Sequence, residues 1–136
     1  MIKLILRVLA LIAFAAYVLL IAMIVFKGDL NDYDGGVNYT LFSTIQRYPV
    51  SSIDFWLNVV GNVVMFLPFG FFVGYFSGRG FFGFFIAMIL ILGVPVGIEF
   101  AQKQIGRVFD VDDILLNCAG GIVGYFLQKI LRPRRD

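Results

Sequence analysis

Four long apolar segments limit the folds open to this chain. They cover residues 4–26, 55–76, 81–100 and 114–131. A helix needs about 20 apolar residues to cross a hydrocarbon layer about 30 Å thick. Of the 136 residues, 60% are hydrophobic, against roughly 45–50% in soluble domains. We therefore predict an all-α integral membrane protein with four transmembrane helices.

The distribution of basic residues predicts the orientation of these helices. Short cytoplasmic segments are enriched in Lys and Arg. With the N-terminus in the cytoplasm, most basic residues lie on that side: Lys3, Arg7, Arg79, Lys129, Arg132, Arg134 and Arg135. The acidic residues, apart from Asp136, then lie on the outer side. Both termini are predicted to be cytoplasmic, and the basic tail is interpreted as a topology anchor rather than a nucleic-acid contact.

The connection between the first two helices, residues 27–54, is too long for a simple turn. Apolar side chains recur in it near helical spacing, at Leu41, Phe42, Ile45 and Tyr48. This pattern predicts a short amphipathic or re-entrant helix at the outer face of the membrane. The predicted fold class is thus four transmembrane helices, N-in and C-in, with a partly helical extracytoplasmic loop between helices 1 and 2.

Glycine spacing predicts how the helices pack. Helices in lipid associate where small residues allow close approach. Three segments carry glycines four residues apart, at Gly70, Gly74 and Gly78, at Gly93 and Gly97, and at Gly120 and Gly124. We therefore expect helices 2, 3 and 4 to form the compact core and helix 1 to lie at its periphery.

Two prolines and the single cysteine lie inside the predicted helices. Pro68 and Pro95 interrupt their helices and free backbone carbonyls, which a neighbouring polar side chain or water must satisfy. Cys118 cannot form an internal disulfide, so it is predicted to be a buried structural thiol.

Polar residues occur in pairs at the outer ends of three helices. These pairs are Asn58 and Asn62 in helix 2, Glu99 and Gln102 in helix 3, and Asp113 and Asn117 in helix 4. Spacings of three or four residues place each pair on one helix face. Because an unsatisfied polar group is costly in lipid, we expect the faces to converge on an outward-facing polar recess. Arg107 and Asp110, between helices 3 and 4, are predicted to join them in binding a ligand.

Three segments of the chain resemble one known family. NVVGNVVMFLPFGFFVG (residues 58–74), IEFAQ (98–102) and RVFDVDDILLNCAGGIVGY (107–125) are similar to the VanZ-like family of small bacterial membrane proteins. The resemblance extends over residues 37–125. It implies a single VanZ-like transmembrane domain, residues 1–136, in the bacterial cytoplasmic membrane. It also implies a cell-envelope role, because the family's namesake is associated with low-level resistance to the lipoglycopeptide teicoplanin, and it supplies no particular reaction.

The preferred interpretation is that the recess binds an amphiphile with a polar head. Membrane lipids are the expected partners, including a lipid-linked cell-wall precursor or a lipoglycopeptide antibiotic. Phe-rich helix faces would take the apolar part, and Arg107 would bind a phosphate or carboxylate. The amides of Asn62, Gln102 and Asn117 would bind sugar or peptide.

Two other functions stay open. One is an intramembrane enzyme acting on an envelope lipid, with Glu99 and Asp113 as acid and base; the lack of histidine in the sequence argues against a catalytic triad. The other is a structural partner that joins an envelope complex through its glycine faces. No cofactor and no metal are predicted, because DVDD (residues 110–113) lacks the turn and ligand spacing of a calcium loop.

The acidic residues also have a purely structural interpretation. Asp112 or Asp113 would cap the N-terminus of helix 4 and interact with its dipole. Glu99 would pair with Arg107 and close the connection between helices 3 and 4.

Overall fold

The computed structural model describes residues 1–26, 36–78 and 80–131, and most of these residues are helical. The elements, in chain order, are α1 (Ile2–Phe26), β1 (Val37–Asn38), α2 (Ser43–Arg47), α3 (Ile53–Phe76), α4 (Phe81–Gln104), β2 (Phe109–Asp110) and α5 (Val111–Leu131). Helix α3 contains a π-helical turn over Trp56–Val60. Four helices, α1, α3, α4 and α5, are long and apolar enough to cross a membrane. The prediction of four such helices is confirmed.

The four long helices alternate in direction. Val25, near the end of α1, is contacted by Gln102, near the end of α4. Asn62, in the first half of α3, contacts Asp113, at the start of α5. We call this end of the bundle the polar end. The predicted orientation depends partly on Arg79 and on residues 132–136, which lie outside the described residues. The cytoplasmic location of both termini therefore stays a prediction.

The closest packing in the bundle is between α3 and α5. A Cβ on Gly70 would overlap the carbonyl of Gly121, and a Cβ on Gly120 would overlap the carbonyl of Val63. Gly124 faces the backbone of α3 in the same way. Only glycine allows two helix backbones to approach this closely, so the predicted role of glycine is confirmed for this pair of helices.

Other glycines do not pack as predicted. A Cβ on Gly93 or Gly97 of α4 would meet no described atom within 4 Å, and Gly78 is equally open. The prediction of close helix approach at these three positions is therefore wrong. Helix α4 instead packs on Gly121 of α5 through the buried side chain of Ile91.

Helix α1 lies at the periphery, as predicted, since Val25 is the single buried residue among its 25. Its Tyr17 hydroxyl donates to the carbonyl of Met65, at an O–O distance of 2.6 Å, in the turn before Pro68. Both α3 and α4 continue through their prolines, so the predicted interruption is wrong. The carbonyl that Pro68 leaves without a helical donor is that of Val64, and a side-chain partner for it stays a prediction. The thiol of Cys118 has a longer contact, 4.0 Å, to a carbonyl three residues before the other proline.

The end of α4 is a Schellman motif. The N–H of Gly106 donates to the carbonyl of Lys103, and the N–H of Arg107 donates to the carbonyl of Gln102, both at 3.1 Å. Gly106 has a φ of 89°, which a glycine adopts without strain. Helix α4 therefore ends beyond residue 100, where the apolar segment ends. The motif turns the chain so that Arg107 lies against the bundle.

A short loop structure covers part of the polar end. Strands β1 and β2 pair in parallel, with Val37 opposite Phe109 and Asn38 opposite Asp110. In the described part of this connection, the predicted helix is limited to α2, Ser43–Arg47. Residues 27–35 of the predicted loop lie outside the described residues, and its position relative to the membrane stays a prediction.

Candidate functional site

A cavity of about 120 Å³ lies at the polar end of the bundle. We call it the polar cavity. Its polar lining consists of Asn62, Glu99, Gln102, Arg107, Asp113 and Asn117, and its apolar lining of Ile24, Val25, Met65 and Ile98. The structure thus brings together six of the eight residues predicted to bind a ligand. Their binding of a ligand stays a prediction.

The two carboxylates of the polar cavity are each held by one hydrogen bond. Oε2 of Glu99, a side chain that is 2% exposed, accepts from the N–H of Asp110 at 3.0 Å. Oδ1 of Asp113 accepts from Nδ2 of Asn62 at 2.8 Å. The other oxygen of each carboxylate, Glu99 Oε1 and Asp113 Oδ2, accepts no hydrogen bond from the described residues.

The donors of the polar cavity are directed mainly at backbone carbonyls. Gln102 Nε2 and Arg107 Nη1 both donate to the carbonyl of Val25, at 3.1 and 2.7 Å. They supply hydrogen bonds at the C-terminal end of α1, where a helix has carbonyls without helical partners. The predicted pairing of Arg107 with Glu99 is therefore wrong: within the described ranges Arg107 binds α1, and Glu99 binds the backbone of β2.

Asn117 differs from the other amides of the site. Its side chain is 4% exposed, and its Oδ1 has no hydrogen-bond partner among the described residues. Buried polar atoms in native proteins nearly always have a partner. Asn117 lines the polar cavity, although its Oδ1 has almost no accessible surface.

Asn58 lies outside the polar cavity. Its side chain is exposed, and its Nδ2 donates to the carbonyl of Asp54 at 2.8 Å. Asn58 lies within the π-helical turn Trp56–Val60, one turn nearer the start of α3 than Asn62. Asn62 also bonds to this turn, since its Nδ2 donates to the carbonyl of Asn58 at 2.9 Å.

Asp110 lies next to the polar cavity and has a structural role. Its Oδ1 accepts from the N–H of Asp112 at 2.8 Å, and its Oδ2 accepts from Nδ2 of Asn38 at 3.0 Å. The first of these bonds is the N-cap of α5. The prediction that Asp112 or Asp113 caps this helix is therefore wrong by two or three positions.

Asp112 instead binds the loop that precedes α3. It is 2% exposed, and its two oxygens accept from the N–H groups of Phe42 and Thr44, at 2.6 and 2.8 Å. This carboxylate therefore satisfies backbone donors at the start of α2. The contact between Asp112 and the loop was not predicted from the sequence, and neither was the carbonyl of Val25 as an acceptor. Both contacts join distant segments, so neither follows from residue spacing within one helix.

Four membrane-capable helices and a shared polar cavity define a small multi-pass membrane protein. The VanZ/LLP1 family model matches residues 9–132, so the chain belongs to the VanZ/LLP1 family. The resemblance to VanZ-like proteins is thus confirmed over a longer stretch than residues 37–125. No curated protein matches the chain, and no solved structure does.

Proposed function

We propose that this protein binds an amphiphile in the cell envelope, with the polar end of the ligand in the polar cavity. The observation that carries this proposal is the convergence of six polar side chains on one cavity, Asn62, Glu99, Gln102, Arg107, Asp113 and Asn117. Two carboxylate oxygens of this lining, Glu99 Oε1 and Asp113 Oδ2, accept no hydrogen bond from the described residues. Leaving a buried polar atom unpaired costs about 1–3 kcal/mol, so a bound polar group is favoured.

The size of the polar cavity limits what enters it. Its volume of about 120 Å³ exceeds the roughly 10–15 Å³ that one water needs. It is below the roughly 300–1,000 Å³ of sites for drug-sized ligands. The polar cavity therefore takes the polar end of an amphiphile and leaves the remainder outside.

An apolar groove next to the polar cavity is suited to the apolar part of the amphiphile. This groove, about 500 Å³, is lined by Phe26, Ile89, Leu90, Gly93, Val94, Gly97, Ile98 and Ala101. Ile98 lines both the groove and the polar cavity. One ligand could therefore place an acyl or prenyl chain along α4 and its polar end between the helices.

The proposed location is the bacterial cytoplasmic membrane, with the polar cavity on its outer side. The basic residues of the sequence support this orientation. Candidate ligands are an envelope lipid, a lipid-linked cell-wall precursor or a lipoglycopeptide antibiotic, each of which combines a chain with a polar head. Family membership supports a part in teicoplanin resistance as one possible outcome of such binding.

Native mass spectrometry of the purified protein tests the proposal. We expect a discrete lipid to remain bound to the wild type and to be lost from Asn117→Leu. The matched control is Asn58→Leu, which changes an exposed asparagine outside the polar cavity and should keep the lipid. A wild type without any discrete lipid, or equal retention by both variants, would overturn the proposal and favour a structural partner role.

An enzymatic function is a second candidate, because Glu99 and Asp113 line the same cavity. Each keeps one oxygen unbonded within the described ranges, as acid–base chemistry on a bound lipid requires. Mass analysis of the bound lipid over time distinguishes the two functions. Conversion of the lipid by wild type, and its unchanged retention by Glu99→Gln, would support an enzyme.

A further inference from the structure

We infer that the polar end of the ligand is a neutral group with several hydroxyls, such as a sugar. This inference rests on the proposed function and specifies the chemistry of the ligand. It comes from the hydrogen-bonding groups that remain free around the polar cavity and from the charges of its lining.

Donors of three side chains remain free in the lining. Arg107 uses one of its five N–H groups on the carbonyl of Val25, and Gln102 uses one of its two amide hydrogens on the same carbonyl. Asn117 Nδ2 donates to no described group. It also keeps accessible surface, whereas Oδ1 of the same amide is enclosed. The amide of Asn117 therefore presents its N–H groups to the polar cavity that it lines.

Acceptors of the lining remain free as well. Glu99 Oε1 and Asp113 Oδ2 accept no hydrogen bond within the described ranges. The amide oxygens of Asn62 and Gln102 likewise have no donor there. Unlike Oδ1 of Asn117, these four oxygens are not enclosed. The free N–H groups outnumber them, so a group that fills the cavity has to form both kinds of hydrogen bond and to offer more acceptors than donors.

Hydroxyls match such a lining. Each hydroxyl donates one hydrogen bond and accepts up to two, so a group with several hydroxyls offers more acceptors than donors. Its O–H groups would bond to the two carboxylates, and its oxygens would accept from the guanidinium and amide N–H groups. Hydrogen bonds with a charged partner are the stronger ones, and this arrangement forms them with both signs of charge.

The charges of the lining disfavour a charged head group. Glu99 and Asp113 supply carboxylates and Arg107 supplies a guanidinium, so both signs of charge lie in one cavity. An anion would meet the carboxylates and an ammonium would meet the guanidinium, so like charges would adjoin in a partly desolvated site. A zwitterion would have to bring two charges out of water, which costs far more than the transfer of hydroxyls. A neutral group with hydroxyls avoids both costs.

Thermal unfolding of the wild-type protein with added lipids tests this inference. The detergent must lack sugar hydroxyls, since a glucoside or maltoside would compete for the cavity. The probes are glucosyl dioleoylglycerol, dioleoyl phosphatidic acid and dioleoyl phosphatidylethanolamine, which share their acyl chains and differ in head group. We expect the glucosyl lipid to raise the melting temperature most, with at least about tenfold weaker apparent affinity for the other two.

Asp113→Asn tests the contact of the hydroxyls with a carboxylate. The substitution keeps an acceptor for Nδ2 of Asn62 and replaces the free carboxylate oxygen by an amide nitrogen. It should weaken binding of the glucosyl lipid by about tenfold. The matched control is Asp54→Asn, at an exposed acid in the first turn of α3, which should keep the wild-type affinity. Equal affinity of both variants for the glucosyl lipid would overturn the inference, and the wild-type comparison decides it alone if Asp113→Asn does not fold.

The outcomes separate the inference from the function on which it rests. Equal stabilisation by all three lipids, or a preference for phosphatidic acid or phosphatidylethanolamine, would overturn the hydroxyl group and leave amphiphile binding intact. Stabilisation by none of them would count against both. Free glucose serves as the soluble probe: an equal effect at equal concentration would retain the hydroxyl chemistry and overturn the requirement for a lipid chain.

Discussion

Asp112 is the residue that fastens the loop before α3 to the start of α5. Its buried carboxylate accepts from the N–H groups of Phe42 and Thr44. Hydrogen bonds to a charged group contribute roughly 1.5–3 kcal/mol, so we expect Asp112→Ala to destabilise the protein by at least that amount. Hydrogen exchange at Phe42 and Thr44 should accelerate.

Asp54→Ala provides the control for Asp112→Ala. Asp54 is an exposed acid in the first turn of α3, so its removal should cost at most about 1 kcal/mol through the helix dipole. If both variants unfold at the same denaturant concentration, Asp112 does not hold the loop.

Arg107 and Gln102 share one acceptor, which makes their contributions non-additive. Each donates to the carbonyl of Val25, so Arg107→Met or Gln102→Leu alone leaves one donor in place and should cost about 1 kcal/mol. The double variant leaves the carbonyl without either donor and should cost about 1–3 kcal/mol more than the sum.

Unfolding of the two single variants and the double variant in detergent measures this coupling. Purely additive losses would contradict a shared acceptor.

The stability lost in Arg107→Met should not be recovered by adding Asp110→Asn. Asp110 is bonded to Asn38 and to the N–H of Asp112, whereas Arg107 is bonded to α1.

At the level of elements, the contact between α3 and α5 depends on glycine. Gly120→Ala would force a Cβ onto the carbonyl of Val63, so it should sharply lower the folded yield in size-exclusion chromatography. Gly97→Ala is the matched control on α4, where a Cβ would meet no described atom within 4 Å. It should be neutral or stabilise by up to about 1 kcal/mol, since alanine favours a helix more than glycine does. Similar yields for both variants would show that the helices do not meet at Gly120.

The helices and most of the polar cavity could be predicted from the sequence because they depend on periodicity. The length of the apolar segments predicts the transmembrane helices. Spacings of three or four residues predict that Glu99 and Gln102, and Asp113 and Asn117, share one cavity, as they do. The prediction failed for Asn58, which is exposed and donates to the carbonyl of Asp54. It also failed for Gly93 and Gly97, because spacing does not show which face of α4 meets a neighbour. Contacts between distant segments, such as Asp112 with Phe42, have no local signal at all.

At the scale of the whole molecule, the orientation in the membrane is the first property to test. Single cysteines would be introduced by Lys3→Cys and Lys103→Cys, two exposed positions at opposite ends of the bundle. The background is Cys118→Ser, which keeps a donor for the carbonyl near Pro95. The basic-residue bias predicts that an impermeant thiol reagent labels position 103 in intact cells and position 3 only after disruption. The reverse pattern would place the polar cavity on the cytoplasmic side.

The central claim is that one amphiphile occupies both the polar cavity and the apolar groove. An experimentally determined structure of the protein in a bilayer of its native lipids tests this most directly. We predict density for a polar group about 3 Å from the free carboxylate oxygen of Glu99 or Asp113, continuing past Ile98 as a chain along Gly93 and Gly97. A polar cavity that holds only water, with a helix of a second copy covering Gly93 and Gly97, would contradict the account.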